Sequence, residues 1–285
     1  MKKVVMTPNP YRDKDFRYAV MAEKILREAG IETKICLAFD VDKNFELPGN
    51  VVLHDLNKEL RDAELLICFG GDGTILHASK AATRAGIPIL GVNIGTMGFM
   101  AELESSELKE LRHLSNDEFT IEERMMLKVT ARHEGRVLVS EVALNDAVIT
   151  KGAVARTVQM SVSCDSVEMM NFGGDGVIVS TPTGSTAYSI SAGGPIVEPT
   201  AQNIIITPIC AHDMRARAVV TAPGRVIRVE IGRIGRKNAF LSVDGGKAVR
   251  LSAGDTVTIT RADCVTRLMH LSNRSFFEII KNKFK

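Results

Sequence analysis

The feature that most constrains the fold is an apolar run that leads directly into a glycine-rich loop and then a helical pattern. Leu65–Phe69 carries no charged side chain, and residues 70–74 read Gly-Gly-Asp-Gly-Thr. A strand without alternation of apolar and polar residues is buried on both faces, which is typical of a parallel sheet covered by helices. Open sheets of this kind bind ligands at the loops that follow their strands. We therefore expect an α/β domain with a ligand at this loop.

The first part of the chain repeats this alternation of strand and helix. Gly30 and Gly86 stand where a left-handed residue commonly ends a helix. We predict the elements Val4–Met6, Asp13–Ala29, Ile75–Arg84, Pro88–Val92 and a helix near Ser106–Leu114. Residues 1–118 are thus expected to form a doubly wound α/β domain with a parallel sheet.

The pattern changes to that of antiparallel strands from about residue 119. Ile227, Val229 and Ile231 alternate with Arg228 and Glu230, as in a strand with one buried face. Strands are predicted at Glu122–Arg132 and Arg136–Leu144, and hairpin turns at His133-Glu134-Gly135, Cys164-Asp165-Ser166, Pro223-Gly224, Asp244-Gly245-Gly246 and Ala253-Gly254-Asp255. We expect residues 119–265 to form a mostly antiparallel β domain, and the apolar stretch 275–281 to dock on the protein.

Composition excludes several classes of protein. Lys and Arg number 36 against 34 Asp and Glu, so the net charge of +2 predicts neither a nucleic-acid nor a membrane partner. The five cysteines are scattered without a C-x-x-C spacing, which favours neither a zinc site nor disulfides and indicates a reducing compartment. The apolar stretches are too short for a signal peptide or a membrane span. We expect a cytoplasmic protein whose side chains form no metal site of their own.

The loop at residues 70–74 has the composition of a phosphate-binding turn. Its N–H groups and the start of the following helix attract anions. Asp72 would repel phosphate unless it holds a metal ion or accepts a proton from an attacking hydroxyl, and either role predicts phosphoryl transfer. The predicted phosphate-donor residues are Gly70, Gly71, Gly73 and Thr74. In the alternative interpretation, Asp72 only shapes a turn.

Three further segments are candidates for ligand binding. Phe99 follows a second glycine loop, where it either contacts an adenosine or belongs to the core. Asn145 and Asp146 end a predicted strand, where they bind ribose hydroxyls or form a turn. The stretch 175–195 predicts a strand, a hydroxyl-rich glycine turn and a short helix, in which Tyr188 offers a face for purine stacking or packs in the core.

These residues resemble the NAD kinase family over nearly the whole chain. The matching motifs are Gly-Gly-Asp-Gly-Thr at 70–74, Asn-x-Gly-x-x-Gly-Phe at 93–99, the Asn-acidic pair at 145–146, Thr-Pro-Thr-Gly-Ser-Thr-Ala-Tyr at 181–188 and Ser-Phe-Phe at 275–277. Diacylglycerol and sphingosine kinases share the first motif, and phosphofructokinases share part of it. The run at 181–188 is far more specific to NAD kinases.

The resemblance implies a role for each matching residue. Asp72 would be the proton acceptor, and His77 would reach a phosphate of the donor. The residues implied to bind NAD are Asp72, Gly73, Phe99, Asn145, Asp146, Arg156, Asp175, Thr186, Ala187, Tyr188, Ser189, Ile190 and Ser191. Two positions depart from the family pattern, with Asp146 in place of Glu and Met97 in place of Leu. The shorter carboxylate weakens the case for a ribose contact, whereas the Met for Leu change conserves volume.

The family also implies substrates and assembly. NAD kinases use ATP with Mg²⁺ to phosphorylate the 2′-hydroxyl of the adenosine ribose of NAD, and they form homodimers or homotetramers. Their tail returns to the N-terminal domain, which predicts that residues 266–285 do so here.

Two other functions remain open from the sequence. A lipid or sugar kinase would share the first loop, although the run at 181–188 and the absence of a membrane-binding stretch disfavour it. A sensor that binds NAD without turnover would keep the same binding residues, although an intact Asp72 disfavours it. Neither a P-loop nor a G-x-G-x-x-G fingerprint is present, which excludes P-loop ATPases and Rossmann dehydrogenases.

Overall fold

The computed structural model describes residues 1–39, 41–42, 45–49, 51–95, 98–152, 157–232, 238–272 and 274–283. The chain divides into an N-terminal unit, Met1–Glu123 with Thr266–Lys285, and a second unit, Arg124–Val265. The N-terminal unit is therefore built from both ends of the chain.

A parallel sheet forms the centre of the N-terminal unit. Its strands are β1 Lys3–Pro8, β2 Glu32–Cys36, β3 Leu53–His54, β4 Leu65–Gly70, β5 Ile89–Asn93 and β6 Leu103–Glu104. The spatial order is β3-β2-β1-β4-β5, and β6 pairs with β5. The helices are α1 Arg17–Glu28, α2 Leu56–Glu59 and α3 Asp72–Ala85, with 3₁₀ turns at Lys14–Phe16 and Ser105–Asn116.

Burial explains why these segments become parallel strands. Every residue of β4 and β5 is buried, as the lack of polar alternation predicts. Leu65 and Ile67 share a core with Leu26 of α1. Gly30 and Gly86 follow α1 and α3 with φ of 79° and 72°, the left-handed conformation that glycine adopts without strain. The predicted α/β fold of this unit is confirmed.

The second unit consists mainly of antiparallel strands. They are β7 Thr120–His133, β8 Arg136–Ala143, β9 Asp146–Lys151, β10 Val158–Cys164, β11 Val167–Gly174, β12 Gly176–Ser180, β13 Ile204–Ile209, β14 Val219–Thr221, β15 Ile227–Ile231, β16 Ala239–Val243, β17 Val249–Leu251 and β18 Thr256–His270. One sheet has the order β14-β13-β12-β9-β16-β17, and the other contains β7, β8, β10, β11, β15 and the first part of β18. A 3₁₀ turn at Thr183–Thr186 and helix α4, Tyr188–Ser191, follow β12.

The alternation in β15 is confirmed, because Ile227, Val229 and Ile231 are buried while the residues between them are exposed. Side chains from both sheets form one core, with Ile149 of β9 and Met160 of β10 among its members.

The hairpins predicted at 133–135, 164–166 and 244–246 are confirmed, because each turn joins two strands that pair antiparallel. Asp165 and Ser166 have φ of 48° and 73° and connect β10 to β11, which pair antiparallel. The hairpins predicted at 223–224 and 253–255 are wrong. The strands on either side of each turn belong to different sheets, since β14 pairs with β13 while β15 pairs with β10 and β18, and β17 pairs with β16. A turn residue specifies a change of direction but not the partner of the next strand.

The chain from Thr266 onward belongs to the N-terminal unit. Leu268 pairs in parallel with Ile89 of β5. The buried Glu102 carboxylate accepts hydrogen bonds from Nδ1 of His270 at 2.8 Å, from the N–H of Leu271 at 3.0 Å and from the N–H of Ser272 at 2.7 Å. The chain then forms helix α5, Phe276–Lys283. None of the helices in the described part of the chain is long and apolar enough to span a membrane.

Candidate functional site

The glycine loop at 70–74 turns directly from β4 into α3. A side chain at Gly70 would overlap Thr74, so only glycine allows the turn to close so tightly. Gly71 is the N-cap, and the N–H groups of Thr74 and Ile75 bond to its carbonyl. The first N–H groups of the helix have no partner within the helix and favour an anion at this end.

Asp72 is the first residue of α3, and its carboxylate is held in place by the loop after β5. Oδ2 accepts a 2.7 Å hydrogen bond from the N–H of Phe99, and Oδ1 accepts a 3.0 Å bond from the N–H of Met100. A side chain at Gly98 would overlap this carboxylate. The carboxylate is half-buried and fixed in orientation, but each oxygen retains a second lone pair for another donor.

The second glycine loop is joined to the first through the backbone. The N–H of Ile94 donates to the carbonyl of Gly70 at 3.0 Å. Asn93 donates through Nδ2 to the carbonyl of Gly95 and to the Glu104 carboxylate. Oδ1 of Asn93 is buried and accepts no hydrogen bond from a described group. Residues Thr96 and Met97, including the departure at position 97, lie outside the described residues.

The side chains of Phe99 and His77 make contacts with protein groups. The Phe99 ring lies 6.1 Å from the ring of Phe276 in α5, with Nζ of Lys283 4.5 Å from its centroid. His77 is exposed one turn into α3, and its ring centre lies 4.7 Å from that of Phe39. The core interpretation of Phe99 thus gains support, while the roles of both residues toward a nucleotide stay predictions.

Arg12 and Asn9 were missed by the sequence reasoning. Nδ2 of Asn9 donates to Oγ1 of Thr74 at 3.1 Å, and the guanidinium of Arg12 lies beside Gly71. Both residues follow β1 directly, and the carboxyl end of a parallel strand is the position that could have revealed them.

In the second unit, the Asn145-Asp146 pair is held at the start of β9 by Asp244. The Asp244 carboxylate accepts hydrogen bonds from the N–H groups of Leu144 at 2.8 Å, Asn145 at 2.8 Å and Asp146 at 3.1 Å. Oδ1 of Asn145 is buried and has no hydrogen-bond partner among the described groups. The sequence reasoning treated Asp244 only as a turn residue, because its partners are about a hundred positions earlier in the chain.

The carboxyl group of Asp146 is buried near the carboxylate of Asp244. Burial raises its pKa to about 7, and the negative charge of Asp244 adds to the effect. The group therefore titrates near neutral pH, where it changes between a donor and a pure acceptor of hydrogen bonds.

The turn at 181–184 packs against the same strand end. The N–H of Thr181 donates to the carbonyl of Asn145 at 2.9 Å, and its hydroxyl donates to the carbonyl of Leu144 at 2.5 Å. A side chain at Gly184 would overlap the carbonyl of Asn145. The structure thus brings together two motifs that are more than thirty residues apart in the sequence.

The residues at 186–191 differ in their availability to a ligand. Tyr188 is 44% exposed, whereas Ser189 is buried and its hydroxyl shares a 2.8 Å hydrogen bond with Thr207. The hydroxyl of Thr186 donates to the carbonyl of Thr183. Ser191 is exposed, and Ala187 and Ile190 are half-buried. Tyr188 is the aromatic face that this segment presents.

Asp175 lies apart from the Asn145 group. It precedes β12, whereas the turn at 181–184 follows that strand, so the five residues of β12 separate them by roughly 17 Å. Its carboxylate pairs with Nζ of Lys151 at 2.6 Å. The predicted contact of Arg156 falls on a residue outside the described part of the chain.

No group of three or more His, Cys, Asp or Glu side chains within the described ranges is placed to hold a metal ion. An α/β unit with a carboxylate fixed at a glycine loop, joined in one chain to a β unit with buried polar groups at a strand end, defines a two-domain phosphotransferase of the small-molecule kinase class.

Comparison with known proteins gives the particular family. The model of the ATP-NAD kinase N-terminal domain matches residues 13–119, and that of the ATP-NAD kinase C-terminal domain matches residues 144–271. The NAD kinase of Ruminiclostridium cellulolyticum is 35% identical over 285 residues, which cover 99% of this chain and 98% of that protein. The NAD kinase of Caldanaerobacter subterraneus is 37% identical over 284 residues, with 99% of each chain covered. The chain belongs to the NAD kinase family.

Two solved structures share the fold. A yeast NADH kinase complexed with NADH has a TM-score of 0.84 at 24% identity, covering 100% of this chain and 87% of that chain. An NAD kinase from Archaeoglobus fulgidus in complex with ATP has a TM-score of 0.73 at 24% identity, covering 99% and 98%. The predicted architecture, an α/β domain followed by an antiparallel β domain, is confirmed.

Proposed function

We propose that this chain is an NAD kinase that transfers the γ-phosphoryl group of ATP to the 2′-hydroxyl of the adenosine ribose of NAD. The family match over both domains supports the activity. The observation that carries the chemistry is the Asp72 carboxylate, fixed at the end of a phosphate-binding loop by two backbone N–H groups. Because its orientation is set before substrate arrives, less entropy is lost when the reacting groups align.

In the proposed reaction, the 2′-oxygen forms a bond to the γ-phosphorus as the bond from that phosphorus to the bridging oxygen of ADP breaks. Asp72 takes the proton of the 2′-hydroxyl during this step, giving NADP and ADP. The N–H groups of the loop at 70–74 and the start of α3 stabilise the negative charge of the donor phosphates. Asp72 acts mainly through its position and accepts the proton late in the step.

We propose that Mg²⁺ enters as part of the MgATP substrate. Magnesium is commonly bound by one or two carboxylates together with substrate phosphates. A single carboxylate at the glycine loop fits that mode. Asp72 is the residue that would face such an ion.

The β domain is proposed to select the acceptor. Oδ1 of Asn145 lacks a protein donor in the described structure, and Asp146 adjoins it on β9, so both can receive hydrogen bonds from ribose hydroxyls. The exposed ring of Tyr188 is proposed to stack on adenine. For Gly73, Phe99, Arg156, Asp175, Thr186, Ala187, Ser189, Ile190 and Ser191 the assignment to the NAD site remains a proposal, as does that of His77 to the donor.

The test is incubation of the purified chain with ATP, Mg²⁺ and NAD, followed by an assay with an NADP-specific dehydrogenase. Formation of NADP at a rate proportional to enzyme concentration supports the proposal. Binding of NAD without ATP-dependent NADP formation would instead identify a dinucleotide sensor. Parallel reactions with sphingosine, diacylglycerol and fructose 6-phosphate as acceptors separate the other kinase classes that share the first motif.

Assembly and location are proposed from the family. A homodimer or homotetramer in the cytoplasm is expected, and light scattering coupled to size-exclusion chromatography would distinguish both from a monomer. Cell fractionation tests the location.

A further inference from the structure

We propose that Arg12 binds the phosphate chain of the phosphoryl donor, an inference that rests on the proposed kinase function. The glycine loop offers neutral N–H groups to a polyanion. Arg12 would add a full positive charge at the same place.

Three neighbouring strands end at one edge of the parallel sheet. The strands β1, β4 and β5 lie side by side, and they lead into the turn at 9–12, the loop at 70–74 and the loop at 93–95. Nη1 of Arg12 lies 3.2 Å from the position that a Cβ atom would take at Gly71, and 3.8 Å from the equivalent position at Gly95. The guanidinium therefore lies against both glycine loops, where their missing side chains leave room for it.

The backbone that carries Arg12 is anchored before and after it. The N–H of Asn9 donates to the carbonyl of Phe69 at 2.8 Å, and its side chain donates to Oγ1 of Thr74. The N–H of Arg12 in turn donates to the carbonyl of Asn9 at 3.1 Å. On the other side, the buried Asp13 carboxylate accepts hydrogen bonds from the first turn of α1. The turn is thus fixed relative to the glycine loop, and so is the base of the Arg12 side chain.

The charge of Arg12 is available to a ligand. The side chain is exposed, and none of the ion pairs formed between described residues involves it. Guanidinium stays protonated at neutral pH and presents several N–H donors in a planar fork that matches phosphate oxygens. Hydrogen bonds between a guanidinium and phosphate are shorter and stronger than those from neutral N–H groups. A nucleoside triphosphate on the loop at 70–74 is the ligand that fits this arrangement.

The test compares Arg12→Gln and Arg12→Lys with the control Arg61→Gln. Arg61 is also exposed but precedes β4, so it lies at the opposite edge of the same parallel sheet. In Arg12→Gln we expect KM for ATP to rise about 10- to 100-fold, the loss typical of a hydrogen bond to a charged group. KM for NAD should change little. Arg12→Lys keeps the charge without the fork and should give an intermediate rise, and Arg61→Gln should behave as wild type.

A normal KM for ATP in folded Arg12→Gln overturns the inference, and so does an equal rise in KM for NAD. Thermal unfolding of each variant checks the fold. If Arg12→Gln does not fold, the KM values of Arg12→Lys for ATP and for NAD test the inference instead. Titration calorimetry with a non-hydrolysable ATP analogue and Mg²⁺ measures donor binding directly. Failure of the wild-type protein to make NADP would reject the proposed function. A normal KM for ATP in an active Arg12 variant would reject only the role of Arg12.

Discussion

The carboxylate of Asp72 accepts a 2.7 Å hydrogen bond from the backbone N–H of Phe99. The loop after β5 therefore fixes the acidic group of the loop after β4, and the two glycine motifs act as one structural element. Phe99 contributes through its main chain, while its ring packs on α5. Any residue except proline has this backbone N–H group, so the hydrogen bond itself does not require an aromatic ring at position 99.

Asp72→Asn should lower kcat by about 10²- to 10⁴-fold, the usual contribution of a general base. The amide cannot take the proton of the 2′-hydroxyl, although it fills the same volume. Initial rates of NADP formation, together with calorimetric binding of NAD, measure the effect. Near-normal turnover by a folded variant would rule out Asp72 as the proton acceptor.

Gly98→Ala should reduce kcat without unfolding the protein. The added methyl group would overlap the carboxylate of Asp72 and displace it from its two N–H donors. Gly49→Ala is the matched control, since nothing lies within 4 Å of the position of its added methyl group. Steady-state kinetics and thermal unfolding of both variants test this. If Gly98→Ala retains wild-type kcat, the orientation of Asp72 does not limit the reaction.

The affinity for NAD should depend on pH near neutrality. The pKa of Asp146 is raised to about 7, so its carboxylate is protonated below that pH and ionised above it. An ionised carboxylate accepts hydrogen bonds from both ribose hydroxyls, and KM for NAD should therefore fall as pH rises through 7. Asp146→Asn should lose this dependence. An unchanged pH profile in that variant would assign the titration to another group.

The same group makes folding stability depend on pH. In the unfolded chain, Asp146 has its ordinary pKa of 3.8. In the folded protein its pKa is about 7, so the carboxyl group keeps its proton up to a higher pH. Between these values the folded state binds more protons, so the contribution of Asp146 to stability falls as pH rises and is constant above 7. Each unit by which folding raises the pKa of Asp146 lowers the free energy of unfolding at high pH by about 1.4 kcal/mol. Urea unfolding of wild type and Asp146→Asn from pH 4 to 8 should show the variant gaining relative stability across that range, and a constant difference would contradict the expectation.

Tyr188→Ala should weaken NAD binding by about 1–3 kcal/mol, the magnitude found for base stacking on aromatic residues. The ring is 44% exposed, so its removal leaves little cavity and should cost little stability. Tyr188→Phe keeps the face and should bind NAD as wild type does. Fluorescence or calorimetric titration with NAD measures both variants. Equal affinity in all three proteins would show that the ring packs rather than stacks.

Much of the α/β fold follows from local sequence because buried parallel strands are uniformly apolar and their helices end at glycines. Leu65–Phe69 and Gly86 are examples. In the β domain, the same reasoning found strands and turns but not their partners. The turn at 223–224 separates strands of different sheets, and pairing over long distances depends on the whole core rather than on the turn residues.

Some residues of the candidate site could be predicted from local sequence, whereas others could be found only from the fold. Asp72 and the run at 181–188 could be predicted as site residues from their residue types and spacing. Asp244 and Arg12 could not, because their significance comes from contacts with positions far away in sequence, such as Leu144 and Gly71. A carboxylate in a turn and an arginine after a strand are common, and only the fold distinguishes them from solvated surface residues.

The N-terminal unit includes residues 266–285, and Met269 belongs to its core. During synthesis, all residues of the second unit are present once Val265 has left the ribosome, whereas the N-terminal unit must wait for the residues from Thr266 onward. Until then, Ile89 lacks its neighbour Leu268, and the Glu102 carboxylate lacks its donors. A polypeptide that stops before residue 266 therefore cannot complete the unit that carries Asp72.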